Sequence, residues 1–150
     1  MSPLAAEAGI SMEVIAGPVW VTIAYLLLYY AFIGNVARVK VLLMAEAKRN
    51  GTKFDRYFGR YPRLLAADRI QLNTLEQMPV FLAALWLHAF VVGPDSATVA
   101  GALYVVLRGL YPLLLGLRLG RNMPLRLLLA TFPAYGVIGY LLIRAGFAVA

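Results

Sequence analysis

"DRIQLNTLEQMPVFL", residues 68–82, decides how the chain is read, because a charged and amide-rich run leads without a break into Pro79 and a strongly apolar stretch. Around it the composition is that of a membrane protein. Of 150 residues, 62% are hydrophobic and 14% charged, and the mean hydropathy of +0.76 lies above that of soluble domains. A membrane-crossing helix needs about 20 mostly apolar residues. Four such runs are present, at roughly 14–36, 70–92, 97–117 and 125–148. Their apolar residues are continuous rather than alternating, which excludes barrel strands. The expected fold is an all-α membrane protein, a bundle of four transmembrane helices at about 14–46, 64–92, 97–119 and 124–148, forming one domain over residues 1–150.

The net charge of +7 could suggest nucleic acid, yet the cations gather in two loops, as the positive-inside rule predicts, so no nucleic-acid partner is expected. "AKRNGTKFDRYFGRYPR" carries Lys48, Arg49, Lys53, Arg56, Arg60 and Arg63 against Asp55, and "RLGRNMPLR" carries Arg118, Arg121 and Arg126 without an acid. The hairpin "VVGPDSAT" holds only Asp95, and Glu7 and Glu13 precede the first helix. This predicts a multi-pass chain with both basic loops cytoplasmic and both termini on the other side. The acidic start and the length of the first apolar run also argue for a retained helix rather than a secretory signal.

The first helix is expected to continue through "NVARVKVLLMAEAK" past the hydrocarbon core, and the aromatics Phe54, Tyr57, Phe58 and Tyr61 of the following loop suit the membrane surface. Pro79, Pro112 and Pro133 fall inside helices 2, 3 and 4, where each removes a backbone donor. With no cysteine and one histidine, His88, neither disulfides nor a metal site are expected. His88 reads as a packed or interfacial residue, as do Trp20 and Trp86.

Arg69, Asn73 and Glu76 are spaced i, i+4, i+7 and share about 60° of one helical face. An Arg or Asp at the bilayer centre costs about 2.5–3.5 kcal/mol, so the stripe must face protein, water or ligand. Two readings stand side by side. In one, Arg69 and Glu76 satisfy each other while Asn73 bonds a neighbouring backbone, an interhelical clamp. In the other, the stripe binds a zwitterion, with Arg69 on a carboxylate and Glu76 on an ammonium group. Helix 3 repeats the device: Tyr104, Arg108, Tyr111, Leu115 and Arg118 fall within about 80°, with a salt bridge from Arg108 to Glu76 as its plain structural role. "NMPLR" reads as a helix start with Asn122 as N-cap and Pro124 in the first turn. Arg126 there would add a cation to free N–H groups, making an anion site or a membrane-surface anchor.

The run Arg-x3-Asn-x2-Glu-x2-Pro-x-Phe from Arg69, four helices, a long basic first loop and the "R-x2-Y" of Arg108 and Tyr111 together resemble the MAPEG family, the membrane-associated proteins in eicosanoid and glutathione metabolism. The resemblance implies a homotrimer of four-helix subunits that binds glutathione as cosubstrate between neighbouring subunits. It places Arg69, Asn73, Glu76, Arg108 and Tyr111 on glutathione, with Arg38 of helix 1 as a looser match. It also implies a transferase or peroxidase acting on lipophilic small molecules, in which Arg126, or else Arg121, activates the thiol. A cation beside a thiol of pKa about 8.5 raises its thiolate fraction at neutral pH. Leu72, Gln77 and Leu115 depart from the family pattern, standing where members carry a basic residue, a tyrosine or asparagine, and a second tyrosine. The competing reading is a non-catalytic MAPEG-fold protein whose polar stripes serve assembly or bind another amphiphile. A transporter is disfavoured, because helix 4 is almost purely apolar from 127 to 143.

Overall fold

A computed structural model describes residues 12–116 and 125–150, side chains excepted at Met12, Glu13 and Arg126. The described residues form four long helices, α1 (Met12–Arg49), α2 (Pro62–Val91), α3 (Pro94–Leu115) and α4 (Leu128–Val149), with a 3-10 turn at Leu125–Leu127 leading into α4. All four are long and apolar enough to cross a membrane. The 38 residues of α1 give about 57 Å of helix, well beyond a hydrocarbon core of about 30 Å. The 22 residues of α3 give about 33 Å, so the α1–α2 end extends past the end of α3.

The helix ends follow local chemistry. Pro62 and Pro94 open α2 and α3, where a missing N–H costs nothing. Between α2 and α3 the chain turns tightly, the Val92 and Gly93 N–H groups both donating to the His88 carbonyl at 2.9 and 3.0 Å. α3 stops at Leu115 rather than at the expected 119, because Gly116 adopts φ 87°, a left-handed conformation that closes helices and suits glycine. The expected cap of α4 by Asn122 and Pro124 lies outside the described residues. All the internal prolines, Pro18, Pro79, Pro112 and Pro133, are carried within continuous helices.

α2 and α3 pack on each other at the centre; α1 packs against both, and α4 packs against both from elsewhere on the pair. The main core joins Val21 and Tyr25 of α1, Phe81, Ala84 and Leu85 of α2, Tyr104 of α3 and Ile138 and Leu141 of α4. Close approach of α1 and α3 depends on Gly17, where an added Cβ would fall 2.1 Å from Thr98 Oγ1. That hydroxyl is itself fixed, donating to the Pro94 carbonyl at 2.7 Å. His88 is fully buried and ties three helices together: Nδ1 donates to the Leu141 carbonyl at 3.1 Å, and Nε2 lies 2.8 Å from Ser96 Oγ. A carbonyl can only accept, which fixes the Nδ1–H tautomer.

The loop joining α1 to α2 is built rather than loose. Asp55 Oδ1 accepts the Tyr57 and Phe58 N–H groups, both at 3.0 Å, and the Asp55 N–H donates to the Tyr61 hydroxyl at 3.1 Å. This consumes the one acid of the loop and leaves Tyr57 and Phe58 exposed.

Candidate functional site

Arg108 is the largest fully buried side chain, at 2% exposure. Its position follows from the helical spacing of its neighbours, since Tyr104 at i−4 and Tyr111 at i+3 flank it on one face. The guanidinium carbon lies 5.3 Å from the Tyr104 ring centre and 5.9 Å from that of Tyr111, within cation–π range. Arg108 Nε donates to the Tyr104 hydroxyl at 3.1 Å, and Nη1 donates to Asn73 Oδ1 of α2. Nη2, equally buried, has no hydrogen-bond partner among the described residues.

Beneath this group lies an aromatic layer. Phe81 stacks on Tyr104 with ring centres 3.9 Å apart and planes at 12°, and Tyr25 leans on Phe81 at 5.0 Å. The Tyr25 hydroxyl donates to the Thr74 carbonyl at 2.7 Å, pinning α1 to the turn of α2 that also carries Asn73. Each residue that holds Arg108 is thus held by another helix.

The structure divides the predicted stripe of α2. Asn73 turns inward to Arg108, whereas Arg69 and Glu76 are exposed on the outer surface of the single chain. Two corrections follow. Arg69 and Glu76 do not pair: the ion pair between described residues is Arg63 with Glu46, at 3.1 Å. Seven residues of helix separate the two by about 10.5 Å along the axis, too far for direct contact. Nor does Arg108 reach Glu76; its hydrogen bonds go to Asn73 and Tyr104.

Arg69 and Glu76 still belong to the neighbourhood, lying about one helical turn before and after Asn73 on α2. Tyr135 of α4, which the sequence reading passed over, accepts a hydrogen bond from Gln77 Nε2 at 3.3 Å. Arg38 lines a different cavity, between α1, α2 and α3. Arg121 lies outside the described residues. Arg126 falls in the 3-10 turn before α4, and its side chain is outside them too.

A buried polar cluster shared by α2 and α3, edged by an exposed acid and base, is now placed within four apolar helices. A sequence model of the MAPEG family matches residues 17–147, which takes in every helix that builds the cluster. The chain belongs to the MAPEG family. An uncharacterized protein of Synechocystis sp. is 34% identical over 96 residues, 63% of this chain and 63% of the relative. MAPEG membership covers glutathione transferases and peroxidases and also non-catalytic members, so the family leaves the chemistry to the site.

Glutathione, which the family generally uses, can be tested against the residues present. It carries two carboxylates and an ammonium group. The unpaired Arg108 Nη2 is a buried donor that lacks an acceptor, a situation costing about 1–3 kcal/mol, and a carboxylate would relieve it. Asn73 spends its oxygen on Arg108, which leaves its amide N–H groups to donate outward. Arg69 and Glu76 offer one further cation and one anion without competing partners among the described residues. In this MAPEG chain the departures from pattern are also accommodated: Leu115 is buried with Phe32, Ile70, Tyr111 and Leu127, Gln77 reaches Tyr135, and Leu72 faces outward.

Proposed function

We propose that the chain is a membrane-bound glutathione transferase or peroxidase acting on lipophilic electrophiles or hydroperoxides, and that it works as a homotrimer. The observation that carries this reading is the buried, unpartnered Nη2 of Arg108 beside Asn73 in a MAPEG chain. Arg108 and Arg69 would each meet a carboxylate, Glu76 the ammonium group, and Asn73 and Tyr111 would fix the backbone between them. The exposure of Arg69 and Glu76 on one subunit suits a ligand closed in by a second. Glutathione supplies a thiol that, as thiolate, adds to an electrophilic carbon or reduces a peroxide. Arg126, or Arg121, would hold the negative charge near the turn into α4, where free N–H groups add to its field.

Glutathione should raise the thermal stability of the purified protein, because a ligand that binds only the folded state must do so. Arg69→Ala and Glu76→Ala should each weaken that binding by about 2 kcal/mol through loss of a charged hydrogen bond. Both should leave the unliganded stability within about 0.5 kcal/mol, as expected for exposed positions. No stabilisation at millimolar glutathione, together with dissociation of the oligomer in these variants, would instead favour stripes that serve assembly.

The thiol chemistry has its own readout. Arg126→Ala should abolish the ultraviolet thiolate band of bound glutathione and reduce turnover about 100-fold or more, since removing one charge-stabilising group costs that much. A band that survives in Arg126→Ala but disappears in Arg121→Ala would assign the role to Arg121.

A further inference from the structure

The end of the bundle opposite the basic loops holds a second polar group, which the glutathione reading does not use. His88 is fully buried, and its two ring nitrogens are committed in opposite senses. Nδ1–H donates to the Leu141 carbonyl of α4 at 3.1 Å, so Nε2 carries the lone pair and accepts from the Ser96 hydroxyl of α3 at 2.8 Å. That hydroxyl has one hydrogen and a second neighbour, the Gly93 carbonyl, at the longer distance of 3.2 Å. A serine hydroxyl on one imidazole nitrogen, with the other nitrogen oriented by a fixed acceptor, is the arrangement that makes a serine nucleophilic. Tyr140 of α4 leans on the imidazole with ring centres 5.5 Å apart, which adds to the two hydrogen bonds that hold the ring in place.

Packing alone asks for less than this. A hydroxyl that only satisfied a buried histidine could be sealed in, whereas Ser96 is half-buried and stands at one end of a groove of about 580 Å³ between α3 and α4. Val99 and Leu103 of α3 and Pro133, Gly136 and Tyr140 of α4 wall the groove. The stretch from Ser96 to Leu103 rises about 10 Å, and Gly136 leaves open space where another residue would place a Cβ. These walls suit a hydrocarbon chain, and the serine meets the polar group that ends it. No cation is among the described lining residues, so a neutral ester fits better than a free carboxylate or phosphate. Ser96 belongs to the first turn of α3, where Asp95 is exposed, so this end of the groove meets water. The Asp95 and Ser96 N–H groups lie in the same turn, where a helix supplies no acceptor, and are available to a developing oxyanion.

We propose that Ser96 and His88 form a nucleophilic pair that cleaves lipophilic carboxylic esters whose acyl chain lies in the α3–α4 groove. Ser96 Oγ bonds to the acyl carbon as His88 Nε2 takes its proton; the bond from that carbon to the alcohol oxygen breaks, and Nε2 gives the proton to the departing alkoxide. Water then attacks the acyl-serine with the same nitrogen as base, the carboxylic acid leaves, and Ser96 regains its hydrogen. Ester and water are the only reactants, and the proposal does not depend on glutathione binding at the other end of the bundle. The test uses the purified full chain in neutral detergent without glutathione. Diisopropyl fluorophosphate, whose phosphorus takes the serine oxygen as fluoride leaves, should add one diisopropylphosphoryl group to the peptide containing Ser96, read by mass spectrometry, and Ser96→Ala should abolish the adduct. Para-nitrophenyl octanoate should be hydrolysed with a kcat/KM about tenfold or more above that of the acetate, since apolar contacts along the groove favour the longer chain. Ser96→Ala should reduce this turnover to background, and a folded His88→Gln should lower it about 100-fold or more through loss of the base. Gly136→Leu, which fills the groove away from the pair, should remove the preference for octanoate and spare the phosphorylation. Absence of an adduct on Ser96, octanoate hydrolysis unchanged in Ser96→Ala, or an unchanged rate in folded His88→Gln overturns the proposal and leaves the Ser96–His88 hydrogen bond as a tie between helices. If His88→Gln does not fold, the adduct and Ser96→Ala decide by themselves.

Discussion

Arg108→Ala should destabilise the protein by about 3–5 kcal/mol, the range for truncating a large buried side chain, because a cavity is left and two neutral hydrogen-bond partners lose their donor. The change leaves two groups stranded, the Asn73 carbonyl and the Tyr104 hydroxyl, and opens a void between two tyrosine rings. Arg108→Met separates charge from volume. It keeps most of the stem and its packing, so it should cost less, and its remaining penalty should come from unpaired Asn73. Adding Asn73→Leu to Arg108→Met should then restore part of the loss, because replacing both partners of a buried polar pair by apolar groups is often near neutral. Denaturation of the wild type, Arg108→Met, Asn73→Leu and the double variant in detergent gives the coupling energy directly. A coupling near zero would mean that Asn73 and Arg108 do not share their stability. The same double variant should lose all stabilisation by glutathione while remaining folded, which distinguishes a binding role for Arg108 from a purely structural one.

The helices were legible in the sequence because each is a long apolar run with recognisable ends. The end of α3 was the exception, since its continuation looked apolar and only the conformation of Gly116 stops it. The polar stripe of α2 was legible as a stripe but not in its division. A 60° arc can straddle the border between a buried and an exposed face, and periodicity does not say where that border runs; Asn73 falls inside it, Arg69 and Glu76 outside. Arg108 and Tyr111 were found because their partners lie within one helical turn. Tyr25 and Tyr135 were missed for the opposite reason: each bonds a residue on another helix, 49 and 58 positions away in sequence, and each sits in a run where a tyrosine reads as ordinary membrane aromatic. The candidate site was therefore readable along each helix and unreadable between helices.

Phe81→Ala should have an effect comparable to that of Arg108→Ala, although Phe81 carries no polar atom in its side chain. Phe81 is fully buried and is the middle of the layer on which Arg108 rests, stacked on Tyr104 and touching Tyr25. Truncation of a core phenylalanine costs about 3–5 kcal/mol. The lower end is expected here, because lipid tails already solvate apolar groups and the loss is one of packing contacts rather than of water exclusion. The consequence for the site follows from geometry. Without the stack the Tyr104 ring gains freedom, its hydroxyl ceases to hold Arg108 Nε in one direction, and Nη2 is no longer aimed. Glutathione affinity should therefore fall in Phe81→Ala and, more informatively, in the milder Phe81→Leu, which retains most of the volume but not the flat face. Phe81→Leu should cost only about 1–1.5 kcal/mol in stability yet weaken glutathione binding about tenfold. If affinity and stability instead fell in the same proportion in both variants, the layer would be acting as general core, and the orientation of Arg108 would not depend on it.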